Sequence, residues 1–295
     1  MRWRNFQDLL GRLQANLSFD KEVRRQRRQE WNERVLEKRV NAVKFAVSYS
    51  VWDGEELLAA SIRQIRGQVD YINVVWQEKS WSGLQGNPNL KQELEKLQRQ
   101  GLIDELIEYQ SLCCNEVYQE PIKRQLGLDA AIRAGCNYFM TMDADEFYVV
   151  EQFDQAKKFM IERELDHGFV LMKVYGSSPR NQWIYNELAP NQVPFFTRVG
   201  LGSKISVDRK YPYIADPSRQ ILMPTNAKIM LIPGIAMHHM TYIRKNLVQK
   251  LEASSAAHIF KRNGLSGEAL AGKIDLHSVE VEDQFGLCSL MKTWK

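Results

Sequence analysis

The spacing of apolar positions changes character near residue 42. From there on, short apolar runs alternate with amphipathic stretches. Val43–Tyr49 predicts a strand, Gly54–Ile65 an amphipathic helix, and Asp70–Trp76 a second strand. Asn89–Arg99 predicts a helix, Leu106–Tyr109 a short strand, Glu120–Ala134 a helix, and Tyr138–Met142 a strand that is apolar except at Thr141. Strands alternating with helices at this spacing argue for a parallel sheet covered on both faces. A loop rich in Ser, Gly, Asn and Pro, Ser80–Pro88, interrupts the alternation.

Beyond Phe147 the pattern loosens. Residues 153–165 predict a helix and 168–174 a strand. Pro179, Pro190, Pro194, Pro212, Pro217 and Pro224 then break up a long irregular stretch, the kind that serves as binding loops in compact domains. Lys228–Ile232 predicts a strand that, with the segment Ile235–Met237, leads into His238 and His239, and a helix runs from about Asn246 to Arg262. No internal repeat is present. The expected class is α/β, a mixed and mostly parallel sheet flanked by helices, with an N-terminal helical extension.

That extension, residues 1–41, is polar and basic. Residues 1–40 carry eleven Lys or Arg against six Asp or Glu, a balance of +5; with +4 for the whole chain, the other 255 residues carry −1. Trp3, Phe6, Leu10, Leu13 and Leu17 share a helical stripe with Arg2, Arg4, Asp8 and Arg12 off it. Two readings follow: residues 1–20 lie on an anionic membrane surface, or they pack on their own domain or a second subunit, which makes a homodimer an expectation. Asp20–Arg39 predicts a charge-laced helix with a solvated face. Only Trp31 offers base stacking among those charges, so no nucleic-acid partner is expected.

Composition narrows the class. With 295 residues, 44% of them hydrophobic, the chain can bury the core of one large α/β domain or two small ones. No apolar run reaches the ~18–20 residues of a membrane span. Met1-Arg-Trp-Arg-Asn-Phe6 lacks a signal-peptide apolar core. Cys113, Cys114, Cys136 and Cys288 show no Cys-x-x-Cys spacing, so a reducing cytoplasm is expected, with membrane contact on the inner face if residues 1–20 make any.

The chemistry concentrates where Tyr138–Met142 ends. Asp143 and Asp145 follow at once, with Glu146 beside them. Ligands in open α/β sheets collect beyond the carboxyl ends of strands, and hard carboxylate oxygens suit Mg²⁺ or Mn²⁺. An Asp-x-Asp also occurs in ordinary solvated turns. His238 and His239 close a later apolar strand, with Arg244 and Lys245 just beyond, so one imidazole could complete a metal site while the cations clamp a diphosphate. Packing one histidine and exposing the other is the competing account.

Strand-Asp-x-Asp, with Lys123-Arg-Gln-Leu-Gly127 on the preceding helix, resembles the sugar-nucleotide domain of family 2 glycosyltransferases with the GT-A fold. Arg124-Gln125-Leu126-Gly127 stands where that family often shows Arg-Asn-x-Gly. Val47-Ser-Tyr-Ser-Val-Trp-Asp-Gly-Glu-Glu56 resembles its first strand and nucleotide-contacting turn, and Gln68–Val75 its second strand. The resemblance is good over 43–150 and loose over 151–260. One departure is Trp76-Gln-Glu-Lys79, where the family carries an acidic cluster; Glu78 is the available substitute.

The resemblance implies a GT-A-like, Rossmann-type sheet and a metal-dependent, inverting transfer of a sugar from a UDP- or GDP-linked donor to a glycan or glycolipid. It implies Mn²⁺ or Mg²⁺ held by Asp143, Asp145 and one of His238 and His239, with Asp143 also reaching the ribose. Ser48, Ser50, Asp53, Glu78, Arg124, Arg244 and Lys245 are the donor-binding candidates. The general base is sought among Asp216, Glu187 and Asp208; an Asp-Pro such as Asp216-Pro217 also simply starts turns. The expected division is an extension (1–41), a catalytic domain (42–265, its halves 42–150 and 151–265), and a C-terminal tail (266–295). The alternatives are a nucleotidyltransferase acting on sugar phosphates, disfavoured by the acidic turn Val51–Glu56, and a non-catalytic membrane- or partner-binding module with a vestigial site.

Overall fold

The computed structural model describes residues 21–80, 83–110, 116–183, 191–206, 217–253 and 278–294. Helix α1 (Lys21–Asn41) leads into β1 (Phe45–Val51), α2 (Glu55–Ile65), β2 (Tyr71–Trp76), α3 (Leu90–Arg99) and β3 (Glu105–Glu108). Then come α4 (Glu116–Arg133), β4 (Tyr138–Asp143), β5 (Glu146–Phe147), α5 (Val150–Arg163), β6 (His167–Val174), β7 (Asn181–Trp183) and β8 (Gln192–Arg198). The chain continues through β9 (Ile205–Ser206), β10 (Gln220–Ile221), β11 (Ile229–His239), α6 (Leu247–Ala253), β12 (Ser278–Glu280) and α7 (Leu287–Lys292).

The expected α/β class is the observed one. Eight strands form one sheet in the order β3-β2-β1-β4-β8-β6-β11-β5. The first four are mutually parallel, β8 runs antiparallel to both its neighbours, and β6 and β11 are parallel. Strands β1 and β2 are buried along almost their whole length, as strands covered on both faces must be.

Connectivity forces this sheet to curl. In a flat sheet β4 and β5, four places apart, would be about 19 Å distant at the usual strand spacing. Asp143 and Glu146, three residues apart, span at most about 11 Å. The far edge therefore returns toward the end of β4, where β5 pairs with β11 through His238↔Phe147 and His239↔Glu146. Strand β8 pairs with β4 at Tyr138 and Phe139, at the amino end of β4.

The core fills the curl with Phe45, Tyr138, Tyr148, Phe153, Phe195 and Phe196, packed largely edge to face. Helix α4 lies on β1 and β2 at Gly127, where a Cβ would fall 1.9 Å from Ser48 Oγ. Asn73 Nδ2 donates to the Gly127 carbonyl at 2.9 Å.

The predicted strand Lys228–Ile232 and the segment Ile235–Met237 are one bulged strand, β11. Its register against β6 jumps between Leu231 and Ala236, and Gly234 adopts φ +76 there. Pro233 and Gly234 interrupt the apolar pattern within it. Helix α4 starts a turn before the expected Glu120 and carries Pro121 inside it.

Helix α1 packs Leu36 and Val40 against the core, and Arg39 pairs with Glu164 at 3.0 Å, while residues 25–30 are exposed. The described part of the segment expected to be a tail is integrated into the body: β12 pairs with β7, and Leu287 of α7 packs with Leu57, Phe147, Tyr175, Met240 and Ile243. No helix of the described residues is long and apolar enough to cross a membrane. The amphipathic stripe of residues 1–20 lies outside the described residues.

Candidate active site

Register sets the stage. Ser50 on β1 stands beside Asp143 on β4 and Val75 on β2, so these strands end together. Asp143 closes β4 half-exposed, and the turn to β5 carries Asp145 and Glu146 inward, at 2% and 1% exposure. Burying two carboxylates requires compensation, because an unpaired buried charge is very costly. Three arginines supply it.

Arg219 takes both oxygens of Glu146, at 2.8 and 2.5 Å, and one oxygen of Asp143 at 2.7 Å. Arg124 meets the other Asp143 oxygen at 3.2 Å; it also pairs with Glu120 at 3.0 Å and bonds the Thr141 hydroxyl. Arg244 bonds Asp145 Oδ2 and donates to the Ile243 carbonyl at 3.1 Å. The left-handed turn at Gly54 brings the backbone against that guanidinium, so that a Cβ would stand 3.2 Å from Arg244 Nη2. Behind the turn, the Glu146 carbonyl accepts from Ser61 Oγ at 2.6 Å, and Ser61 in turn meets the Tyr49 hydroxyl.

The two histidines separate because neighbours on a strand face opposite ways. His239 Nε2 lies 3.5 Å from Asp145 Oδ2. His238 turns away: its Nδ1 meets the Tyr175 hydroxyl at 2.7 Å, and its ring packs on Tyr175 and Phe285. The expectation that either histidine could serve the acidic cluster is thereby corrected, since His238 is enclosed on the other face.

Charge follows this geometry. Burial pushes the Asp145 carboxyl up, but Arg244 and then His239 more than offset it and hold it well below the usual carboxylate range. Burial lowers His239, yet Asp145, helped by Glu146 and Asp143, raises it above its ordinary value. Burial pushes His238 down to about 3. Burial lifts Glu146, with Arg219 opposing and Asp143 reinforcing.

The other predicted residues divide. Ser48 is buried beneath α4, sealed by the close approach at Gly127, and does not reach the open edge where a nucleotide could bind; that expectation is corrected. Asp53 reaches the rim, 3.9 Å from Lys250. Lys245 is exposed, and its backbone N–H donates to Glu56 at 2.9 Å. Glu78 is exposed in the loop after β2, where its carbonyl accepts from the Gly86 N–H. Asp216, Glu187 and Asp208 lie outside the described residues. Arg219 was missed, although it stands three residues after Asp216; its signal was a lone Arg entering the buried pair Gln220-Ile221.

A divalent cation needs several hard donors aimed at one point. Asp145 and His239 face each other, but Asp143 spends its oxygens on Arg124 and Arg219, and Asp145 holds Arg244. Among the described residues no three His, Cys, Asp or Glu side chains converge on one point. As arranged, guanidinium groups hold both oxygens of Asp143 and Oδ2 of Asp145, and the donors left among the described residues do not converge to fit a resident Mn²⁺ or Mg²⁺.

No known protein family matches the sequence, and no curated protein matches it. Among solved structures, S. aureus TarS 1-349 aligns at TM-score 0.42 and 12% identity, over 74% of this chain and 66% of that one. GalNAc-T7 with UDP, GalNAc and Mn²⁺ aligns at 0.39 and 12% identity, over 80% and 58%. S. aureus TarS aligns at 0.34 and 16% identity over 45% of this chain, which spans 22% of that chain's length.

Proposed function

We propose that this chain is a glycosyltransferase that moves a sugar from a UDP- or GDP-linked donor to a glycan or glycolipid acceptor with inversion. The observation that carries the reading is the cluster of Asp143, Asp145 and Glu146 with Arg124, Arg219, Arg244 and His239 at the joint carboxyl ends of β1 and β4. Such an edge is where α/β sheets bind nucleotides.

In the proposed reaction an acceptor hydroxyl oxygen bonds to the anomeric carbon as the bond from that carbon to the donor phosphate breaks. The nucleoside diphosphate leaves with the bonding electrons, and a carboxylate takes the hydroxyl proton. Asp216 and Glu187 are the proposed bases. Negative charge grows on the departing diphosphate, and fixed cations aimed at it lower the barrier. Arg244, five residues beyond the end of β11, is suited to that task. Asp143, half-exposed beside Ser50, is suited to a ribose hydroxyl.

The proposed chemistry is assigned to the chain's own groups. Thermal unfolding with UDP, GDP and the other nucleoside diphosphates, each with and without Mn²⁺, tests the reading. One nucleotide at 100-fold its dissociation constant should add ~2.7 kcal/mol. A shift that needs Mn²⁺ would mean that the donor binds together with a divalent ion. No shift with any nucleotide, in either arm, overturns the donor site.

A further inference from the structure

Arg244 also forms one wall of a cleft that the Asp-x-Asp cluster does not use. The cleft is about 470 Å³, lined by Ser178, Arg244, Lys245, Cys288, Met291, Lys292 and Trp294. It is a shallow depression open to solvent, so a ligand there would lie against the surface rather than be enclosed. Its chemistry is lopsided: the described lining residues bring three cations, a hydroxyl, a thiol, a thioether and an aromatic ring, and no carboxylate.

The cations are not equivalent. Arg244 is neutralised by Asp145. Lys245 and Lys292 are exposed, and neither ammonium pairs with a carboxylate among the described residues. Two unpaired ammonium groups bordering one cleft call for a doubly charged anion. Trp294, half-buried and packed against the cluster of Leu57, Phe147 and Leu287, adds apolar surface to the lining, which suits the ring of a sugar rather than a bare ion.

Position decides which substrate this is. The donor's expected seat is the edge shared by Ser50, Asp53 and Asp143. The cleft lies beyond Arg244, between the Ser178 turn after β6 and α7. A ligand there approaches Arg244 and Asp145 from the side of the C-terminal helix.

We propose that this cleft binds a phosphate-bearing sugar unit of the acceptor, with Lys245 and Lys292 on the phosphate and Trp294 against the ring. The inference rests on the glycosyltransferase reading. It adds that the acceptor is anionic.

Isothermal titration of the full chain with glucose 6-phosphate, methyl glucoside and UDP tests it. Glucose 6-phosphate should bind saturably, and methyl glucoside at least tenfold more weakly. Lys292→Gln should weaken glucose 6-phosphate at least tenfold and leave UDP unchanged. Trp294→Ala should weaken glucose 6-phosphate but not inorganic phosphate. Absent binding of glucose 6-phosphate, equal binding by wild type and Lys292→Gln, or displacement of the sugar phosphate by UDP overturns the proposal. Failure of the wild type to bind any nucleoside diphosphate strikes the donor site instead, so the two readings fail separately.

Discussion

At the residue scale, two neighbouring imidazoles are driven in opposite directions by the faces they occupy. His239 gains a buried anionic partner, so its proton is held above the ordinary value of 6.5. Its contribution to stability is fully present below 6.5 and is lost as pH rises through the raised folded value. His238 is buried beside a tyrosine and excludes its proton down to about 3. Below 6.5 the unfolded chain binds a proton that the native state refuses, so this group costs stability toward acid, by up to about 1.4 kcal/mol per pH unit. A histidine C2–H NMR titration should show His239 moving above 6.5 and His238 flat down to pH 5. In His239→Gln the stability loss on the alkaline side should flatten. A His238 resonance that titrates near 6.5 would contradict its enclosure.

The adjacent histidines and the two aspartates were legible in the sequence because residue type and strand ends mark them. Which histidine faces the acids was not legible. That depends on the phase of β11, and its bulge between Leu231 and Ala236 shifts the phase.

At the element scale, the helix–sheet contact at Gly127 shows packing overriding local preference. Alanine inside a helix is intrinsically favoured over glycine by about 1 kcal/mol. Here the added methyl would lie 1.9 Å from Ser48 Oγ, 2.8 Å from Ser48 Cβ and 3.0 Å from Asn73 Oδ1. Backing α4 off its strands outweighs the propensity gain, and overpacking of this kind costs roughly 1–3 kcal/mol. Gly127→Ala should therefore lower the denaturant midpoint. Ser48→Gly in that background should recover part of the loss, because it removes both Ser48 contacts and leaves only Asn73. A Gly127→Ala protein more stable than wild type would mean α4 sits farther out.

Most elements from β1 to α5 could be read from periodicity to within a few residues, since each alternates with a helix and is closed by a turn signal. The short strands β5, β7, β9, β10 and β12 could not. Two or three residues carry no period, and they exist only because a distant partner strand offers hydrogen bonds.

At the scale of the whole molecule, Arg219 joins what the chain keeps far apart. It follows the irregular stretch after β8, yet its guanidinium is inserted into the β4–β5 turn more than seventy residues earlier. No local pattern announces such a contact, because the sheet must first curl before the second half can reach the first. The pairing is energetically asymmetric. Keeping a buried ion pair confers little net stability, whereas removing one partner leaves an uncompensated buried charge. Arg219→Met should cost about 3–5 kcal/mol, since Glu146 is 1% exposed and would have no cation in contact among the described residues. Adding Glu146→Gln should restore part of that, because the lost stability lies in the stranded charge rather than in the contact. Equilibrium urea unfolding of the three variants separates the cases. If Glu146→Gln gives no recovery in the Arg219→Met background, then Arg219 acts chiefly through Asp143, and the junction between the halves is held at the solvent-facing carboxylate instead of the buried one.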